Sequence, residues 1–278
     1  MWPVDWIHLA YCSFGLVFVA LNVDGVEHAE RWLALDAAAL IGLLCLLRVS
    51  RGVTVRRATL LRFVYSYLFV PFAFLQTGFM VTAVAGHDYA AELERLDRAL
   101  FWGANPLEAL EAVASPLLTE ILHWVYVSYW FLPAAALTLI LKRGTPKQAA
   151  RFLFAVVAAF YISYAGYALV PASGPNIHNN FGPLYPTHVE PLALYTFDTN
   201  LPGFWAADRL KQFVYAGEPT KFTSFPSGHV LITLVSVLWA LRCGGRCARL
   251  LVAGGSAISM STGYLRYHYV VDVLASIV

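Results

Sequence analysis

The stretch FPSGHVLITLVSVLWALRCGGRCAR, residues 225–249, holds one membrane crossing and both of its borders. A polar start with a proline and a glycine leads into the apolar run Val230 to Leu241. That run ends in a loop carrying Arg242, Arg246 and Arg249 and no acid. A helix needs about 20 apolar residues to cross roughly 30 Å of hydrocarbon, so this span is short and its ends are soft. Basic loops stay in the cytoplasm. The basic end is therefore cytoplasmic, and Pro226, Ser227, Gly228 and His229 stand at the opposite, extracytoplasmic border.

The rest of the chain repeats this pattern. With 59% hydrophobic and 13% charged residues and a positive mean hydropathy, it is too apolar for a water-soluble domain. Runs near 6–22, 33–49, 60–85, 116–141, 152–171, 227–241, 249–264 and 266 onward give about eight spans of an all-α, polytopic membrane helix bundle. From Arg266 to Val278 a helix would rise only about 20 Å, so the last span is expected to be truncated. Segments 48–62, 142–151 and 242–249 carry twelve Lys or Arg and no Asp or Glu. The alternate loops hold Asp24, Glu27, Glu30, Asp88, Glu92, Glu94, Asp97, Asp198, Asp208 and Glu218, and eight alternating crossings satisfy the split. The basic residues are thus assigned to membrane orientation, and no nucleic-acid partner is expected. No basic residue precedes Arg31, so no cleavable signal peptide is expected. Cys12, Cys45, Cys243 and Cys247 are read as unpaired thiols.

Two extracytoplasmic regions are more than connectors. Tyr89, Leu93, Leu96 and Leu100 recur at helical spacing opposite charged residues, which predicts a surface helix ended by Gly103. Asn105-Pro106 with Glu108, then Ser115-Pro116, are successive helix starts. Residues 172–225 are rich in proline, glycine and aromatics and read as a cap over a site. The organisation is thus an N-terminal helical part, 1–86, and a catalytic membrane part, 87–278, with surface helices over 88–114.

The chemistry gathers at one border. The chain leaves His229, turns at the basic loop and returns at YLRYHYVVDV, residues 264–273, so His229 and His268 meet at one depth. His268 and Asp272 are four residues apart, a helical spacing that lets a carboxylate orient an imidazole. Pro226 suits the first turn of the sixth span. Ser227 and Gly228 offer a hydroxyl and backbone N–H groups to a phosphate at a helix N-terminus.

FPSGH and YLRYHYVVD resemble the second and third signature motifs of the type 2 phosphatidic acid phosphatase superfamily. HWVYVSYWFLP and YALVPASGPN are most similar to its inositol phosphorylceramide synthase-like bacterial branch. The similarity covers roughly residues 92–278. It implies a six-helix core with extra N-terminal spans, in a bacterial inner membrane with the site facing outward. It also implies phosphoryl transfer through a phosphohistidine without metal or other cofactor. His268 matches the nucleophile, His229 the general acid, Asp272 the nucleophile's partner, and Ser227 and Gly228 the phosphate cradle. The substrate would be a phospholipid or lipid phosphate, and the acceptor water or a lipid alcohol. Two departures stand out. The first motif, K-x6-R-P, is absent, and Thr262 occupies the place of an arginine six residues before the nucleophile. Arg266, Lys221 and Asn176 are the candidates to replace those phosphate contacts.

Other readings compete. His229, His268 and Asp272 could form a metal triad in a metal-dependent hydrolase, or the bundle could be a lipid transporter without catalysis. Tyr126 and Tyr129 are read as packing aromatics, Arg266 could snorkel at a span end, and His178 and His188 are read as solvated.

Overall fold

The computed structural model describes residues 1–23, 28–176 and 201–277. Asp24, Glu27, Asp198, His178, His188 and the part of the expected cap from 177 to 200 lie outside the described residues. Helices and loops make up the rest, with no strand among the described residues. Helices α1 (Pro3–Leu21), α2 (Ala29–Val49) and α3 (Val55–Val84) come first. The surface helix α4 (Ala90–Leu100) and the short α5 (Pro106–Ala109) follow. Next are α6 (Pro116–Val127), α7 (Leu132–Arg143) and α8 (Pro146–Leu169). The chain closes with α9 (Trp205–Gly217), α10 (Gly228–Leu241), α11 (Gly245–Tyr264) and α12 (Val270–Ala275). Among the described residues five segments are long and apolar enough to cross a membrane, α6 and α7 counting as one, and α10 is a shorter apolar helix.

Local chemistry sets the helix ends. Ser115, Thr145 and Ser227 cap α6, α8 and α10 through their hydroxyls, and Pro116 and Pro146 occupy first-turn positions where no N–H is needed. Pro226 is not in the first turn of α10 as the sequence suggested: it precedes the cap residue Ser227, after a cis peptide bond from Phe225. The fourth span is not one helix either. A 3-10 turn over Ser128–Phe131 separates α6 from α7. Pro133 near the start of α7 has no N–H to offer the carbonyl four residues back.

The core lies among α3, α7, α8 and α10, where Phe69, Val70, Phe152, Val156 and Ile232 are buried together. Helix α10 packs against α7, α8 and α11, and α3 runs along α8. Two basic ends meet, with Arg143 Nη1 donating to Gly244 O at 2.9 Å, as loops on one side of a membrane would.

The surface helix α4 differs from its expected orientation. Leu93 is buried, but so are Glu94 and Asp97, while Leu96 and Leu100 are exposed and Trp102 is 95% exposed. Asp97 accepts from the backbone N–H groups of Val270 and Val271 at 2.8 and 2.7 Å. A carboxylate at a helix N-terminus meets unsatisfied donors and the positive end of the helix dipole. Glu94 and Asp97 are therefore turned inward, Asp97 holding α12, while Arg95, Leu96 and Leu100 face outward.

Candidate active site

His268 does not sit on a helix with Asp272. Helix α11 ends at Tyr264, Arg266 turns the chain with φ +61°, and α12 begins only at Val270. His268 stands before α12, and Asp272 reaches back from its first turn. Asp272 Oδ2 accepts from Tyr269 N at 2.9 Å and from Ser224 Oγ at 2.5 Å, and lies 3.4 Å from His268 Nδ1. The nearer partner of that nitrogen is the carbonyl oxygen of Ser224, at 2.8 Å. A carbonyl can only accept, so Nδ1 carries a proton, and in the neutral ring the lone pair is on Nε2. The preceding loop, 219–227, thus sets the tautomer, while Asp272 supplies a negative charge behind the ring.

His229, on the first turn of α10, faces His268 with ring centroids 5.9 Å apart. Tyr126 stacks on His229 at 4.2 Å and Tyr129 lies against it at 3.9 Å. Tyr126 also stacks on Tyr267 at 4.5 Å. These two tyrosines are therefore site residues as well as packing ones, presented by the break between α6 and α7. Gly228 is required by its neighbour: a Cβ there would lie 2.8 Å from Tyr167 Oη.

Both histidines and Gly228 line a cavity of about 420 Å³, within the range of small-ligand sites. Pro71, Phe74 and Leu75 of α3 form one wall, and Phe213 and Val214 of α9 another. Of the expected cap, residues 172–176 and 201–225 are described, and α9 within it lines the cavity; its start is held by Glu120 of α6, which accepts from Ala206 N and Ala207 N at 3.0 and 2.9 Å.

The other sequence-derived candidates are distributed differently. Ser227 is fully buried, its hydroxyl accepting from Val230 N as a helix cap. Arg266 and Asn176 line a neighbouring polar cavity of about 140 Å³ with His123, Asp208 and Lys211. Asn176 N donates to Arg266 O at 3.0 Å, and the Arg266 guanidinium pairs with Glu111. Lys221 is buried, 3.4 Å from Glu218 and 4.6 Å over the Tyr215 ring, and does not line the larger cavity. Thr262 accepts from the N–H groups of Tyr267 and His268 through its carbonyl, at 3.0 and 3.2 Å. The sequence reading passed over Glu218 and Tyr267, which line the histidine cavity. Glu218 looked like one more solvated acid of an outer loop, and Tyr267 was hidden between two likelier residues. Burial pushes the Glu218 carboxyl up from its ordinary range, against the lowering pull of Lys221 and His268.

A metal site would need three converging His, Cys, Asp or Glu side chains, and no such group occurs among the described residues. The four cysteines are unpaired.

Comparison with characterised proteins and with solved structures returns no match. A family model described as PAP2 superfamily matches residues 91–278, the segment that supplies both histidines, Asp272 and most of the cavity wall. On that match, the chain belongs to the PAP2 superfamily.

Proposed function

We propose that this chain is an integral membrane phosphoryl-transfer enzyme acting on lipid phosphates or phospholipid head groups, with His268 as nucleophile. The observation that carries the reading is His268, its Nδ1 held by the Ser224 carbonyl, opposite a second histidine in one largely apolar cavity. Nε2 of His268 attacks phosphorus, and the bond from phosphorus to the leaving alcohol oxygen breaks. His229 gives that oxygen its proton. Asp272 balances the positive charge that forms on the phosphorylated ring. In the second half, His229 takes the proton of the acceptor hydroxyl as its oxygen attacks phosphorus and frees His268. Splitting one displacement in two and positioning the acid are standard sources of rate, the second worth about 10²–10⁴-fold.

The acceptor is water in a lipid phosphatase and a lipid alcohol in a phosphotransferase. The covering helix α9 and the apolar walls favour the transferase, because a closed site excludes water and holds a second alcohol near attack distance. The inositol phosphorylceramide synthase-like motifs point the same way, to a bacterial inner membrane enzyme with an outward-facing site. Purified protein given phosphate-labelled phospholipid in excess chelator should acquire acid-labile label, with and without diacylglycerol or ceramide. Label undiminished in His268→Ala refutes the nucleophile. Activity only with a divalent ion restored refutes the mechanism in favour of metal hydrolysis. Lipid flipping unaffected by replacing both histidines, with no transfer, would make the protein a transporter.

A further inference from the structure

Among the described residues, no lysine or arginine lines the cavity that holds His229 and His268. The carboxyl group there is Glu218, and the surrounding walls are rings, including Tyr126, Tyr129, Trp130, Phe213 and Tyr267. Nearby cations point elsewhere: Lys221 is held between Glu218 and the Tyr215 ring, and Arg266 is paired with Glu111 beside the smaller cavity. A phosphomonoester dianion such as phosphatidic acid brings two negative charges and needs cationic partners to leave water. This cavity offers no such cation on its wall among the described residues; its acid, Glu218, is backed by Lys221 and stands among aromatic faces. Aromatic rings with a carboxylate are the chemistry that holds ammonium and quaternary ammonium groups: both gain from ring quadrupoles, the weakly hydrated quaternary group loses little on leaving water, and the primary ammonium is repaid by the carboxylate.

We propose that Glu218 and the rings around it form a head-group site for a cationic amine, so that the donor lipid is a zwitterionic phospholipid of the choline or ethanolamine kind. The phosphodiester, with a single charge, then lies against His229 and His268, and the amine lies toward Glu218. This rests on the phosphoryl-transfer reading of the cavity and names its donor class. The Tyr267 hydroxyl, buried and without a hydrogen-bond partner among the described residues, is available to the same head group. The ammonium also offsets the burial that disfavours the Glu218 anion, so occupation of the site and ionisation of the acid reinforce each other.

The test uses full-length protein in detergent with four short-chain lipids that differ only in head group: phosphatidylcholine, phosphatidylethanolamine, phosphatidylinositol and phosphatidic acid. Turnover should favour the first two, and Glu218→Gln should lower their kcat/KM by about tenfold or more, chiefly through KM. The same change should leave or raise turnover of the two anionic lipids, with Glu218→Asp partly restoring the wild-type order. Equilibrium binding to the His268→Ala protein repeats the comparison without chemistry. Preference for an anionic lipid in wild type, or an equal loss for all four lipids in Glu218→Gln, overturns the head-group assignment while leaving phosphoryl transfer intact. Selective binding of the choline lipid without turnover of any lipid supports the site and refutes the enzyme reading instead.

Discussion

Asp272→Asn separates the two partners of His268. In the wild type, the Ser224 carbonyl at 2.8 Å holds Nδ1–H, and the Asp272 carboxylate at 3.4 Å adds charge. The amide keeps the size of the carboxylate and can still accept from Tyr269 N, so the cap of α12 and the tautomer of His268 survive. What disappears is the attraction between a full negative charge and the cationic ring of the phosphohistidine and of the transition state leading to it. At 3.4 Å and an effective dielectric of about 20, that attraction is on the order of 4–5 kcal/mol, an upper figure because Asp272 also accepts two hydrogen bonds that share its charge. A loss of kcat by about 10²–10³-fold follows, with KM nearly unchanged, since the neutral ring of the resting enzyme feels little of it. The assay is steady-state release of labelled product at saturating lipid, alongside single-turnover trapping of the phosphoenzyme and a thermal unfolding curve. A kcat within tenfold of wild type at unchanged unfolding temperature would refute the view that His268 becomes cationic during the reaction. A matching fall in KM and kcat would point to a lost strain contribution in the bound lipid rather than to charge.

Two further outcomes test the scaffold. Burial raises the Asp97 carboxyl to about 6 from an ordinary 3.8, so its contribution to stability is complete below about pH 3.8 and is lost as pH rises through about 6; the unfolding-temperature advantage of wild type over Asp97→Asn should shrink between pH 5 and pH 7, and an advantage that grows with pH contradicts the sign. Arg62 donates to both oxygens of buried Asp5, at 2.8 and 3.0 Å, so Arg62→Met strands a carboxylate at a cost of about 3–5 kcal/mol; the double variant Asp5→Asn with Arg62→Met should recover most of the loss in detergent melting, and a double no better than the single defeats the pairing argument.

The helices were legible because crossing hydrocarbon imposes length, apolarity and charge asymmetry on the chain itself. Caps at Asn105 and Ser115 were legible for the same local reason, that a side-chain oxygen must meet a free N–H, whereas Ser227, read as a phosphate contact behind a first-turn Pro226, caps α10 itself. The convergence of His229 and His268 followed from counting crossings. The route from His268 to Asp272 did not, because four residues of helical spacing and a capping carboxylate reaching back over a turn look alike in a sequence. Neither did the direction of Arg266. The end of α11 at Tyr264 and the left-handed turn at Arg266 follow from how the chain doubles back over Asn176, a contact 90 residues away in sequence. Likewise, nothing local distinguishes Glu218, buried in a cavity wall, from the acids of the outer loops, or Asp97, which caps another helix, from an exposed surface charge.

The N-terminal helices show how far the site extends beyond the matched segment. Residues 91–278 supply both histidines and Asp272, yet Pro71, Phe74 and Leu75 on α3 line the cavity beside them. The wall is useful only if α3 holds one rotation about its axis, since a turn of one residue moves a side chain by about 100°. Apolar helices in lipid slide and rotate against each other with little penalty, whereas polar pairs fix one register. Helix α3 carries a ladder of such pairs on its other side: Arg62 to Asp5, Ser66 to His8 at 2.8 Å, Thr77 to Tyr11 at 2.8 Å and Gln76 to Asp36 at 2.7 Å. Near its C-terminal end Gly78 admits Pro219 so closely that a Cβ would lie 2.2 Å from the proline ring, and Thr82 donates to Thr220 at 2.7 Å. Those contacts join α3 to the segment that leads through Glu218, Lys221 and Ser224 to His268. Helices α1 and α2 thus act on the cavity through the angle at which they hold α3, and the same strap that sets the tautomer of His268 is seated on that helix.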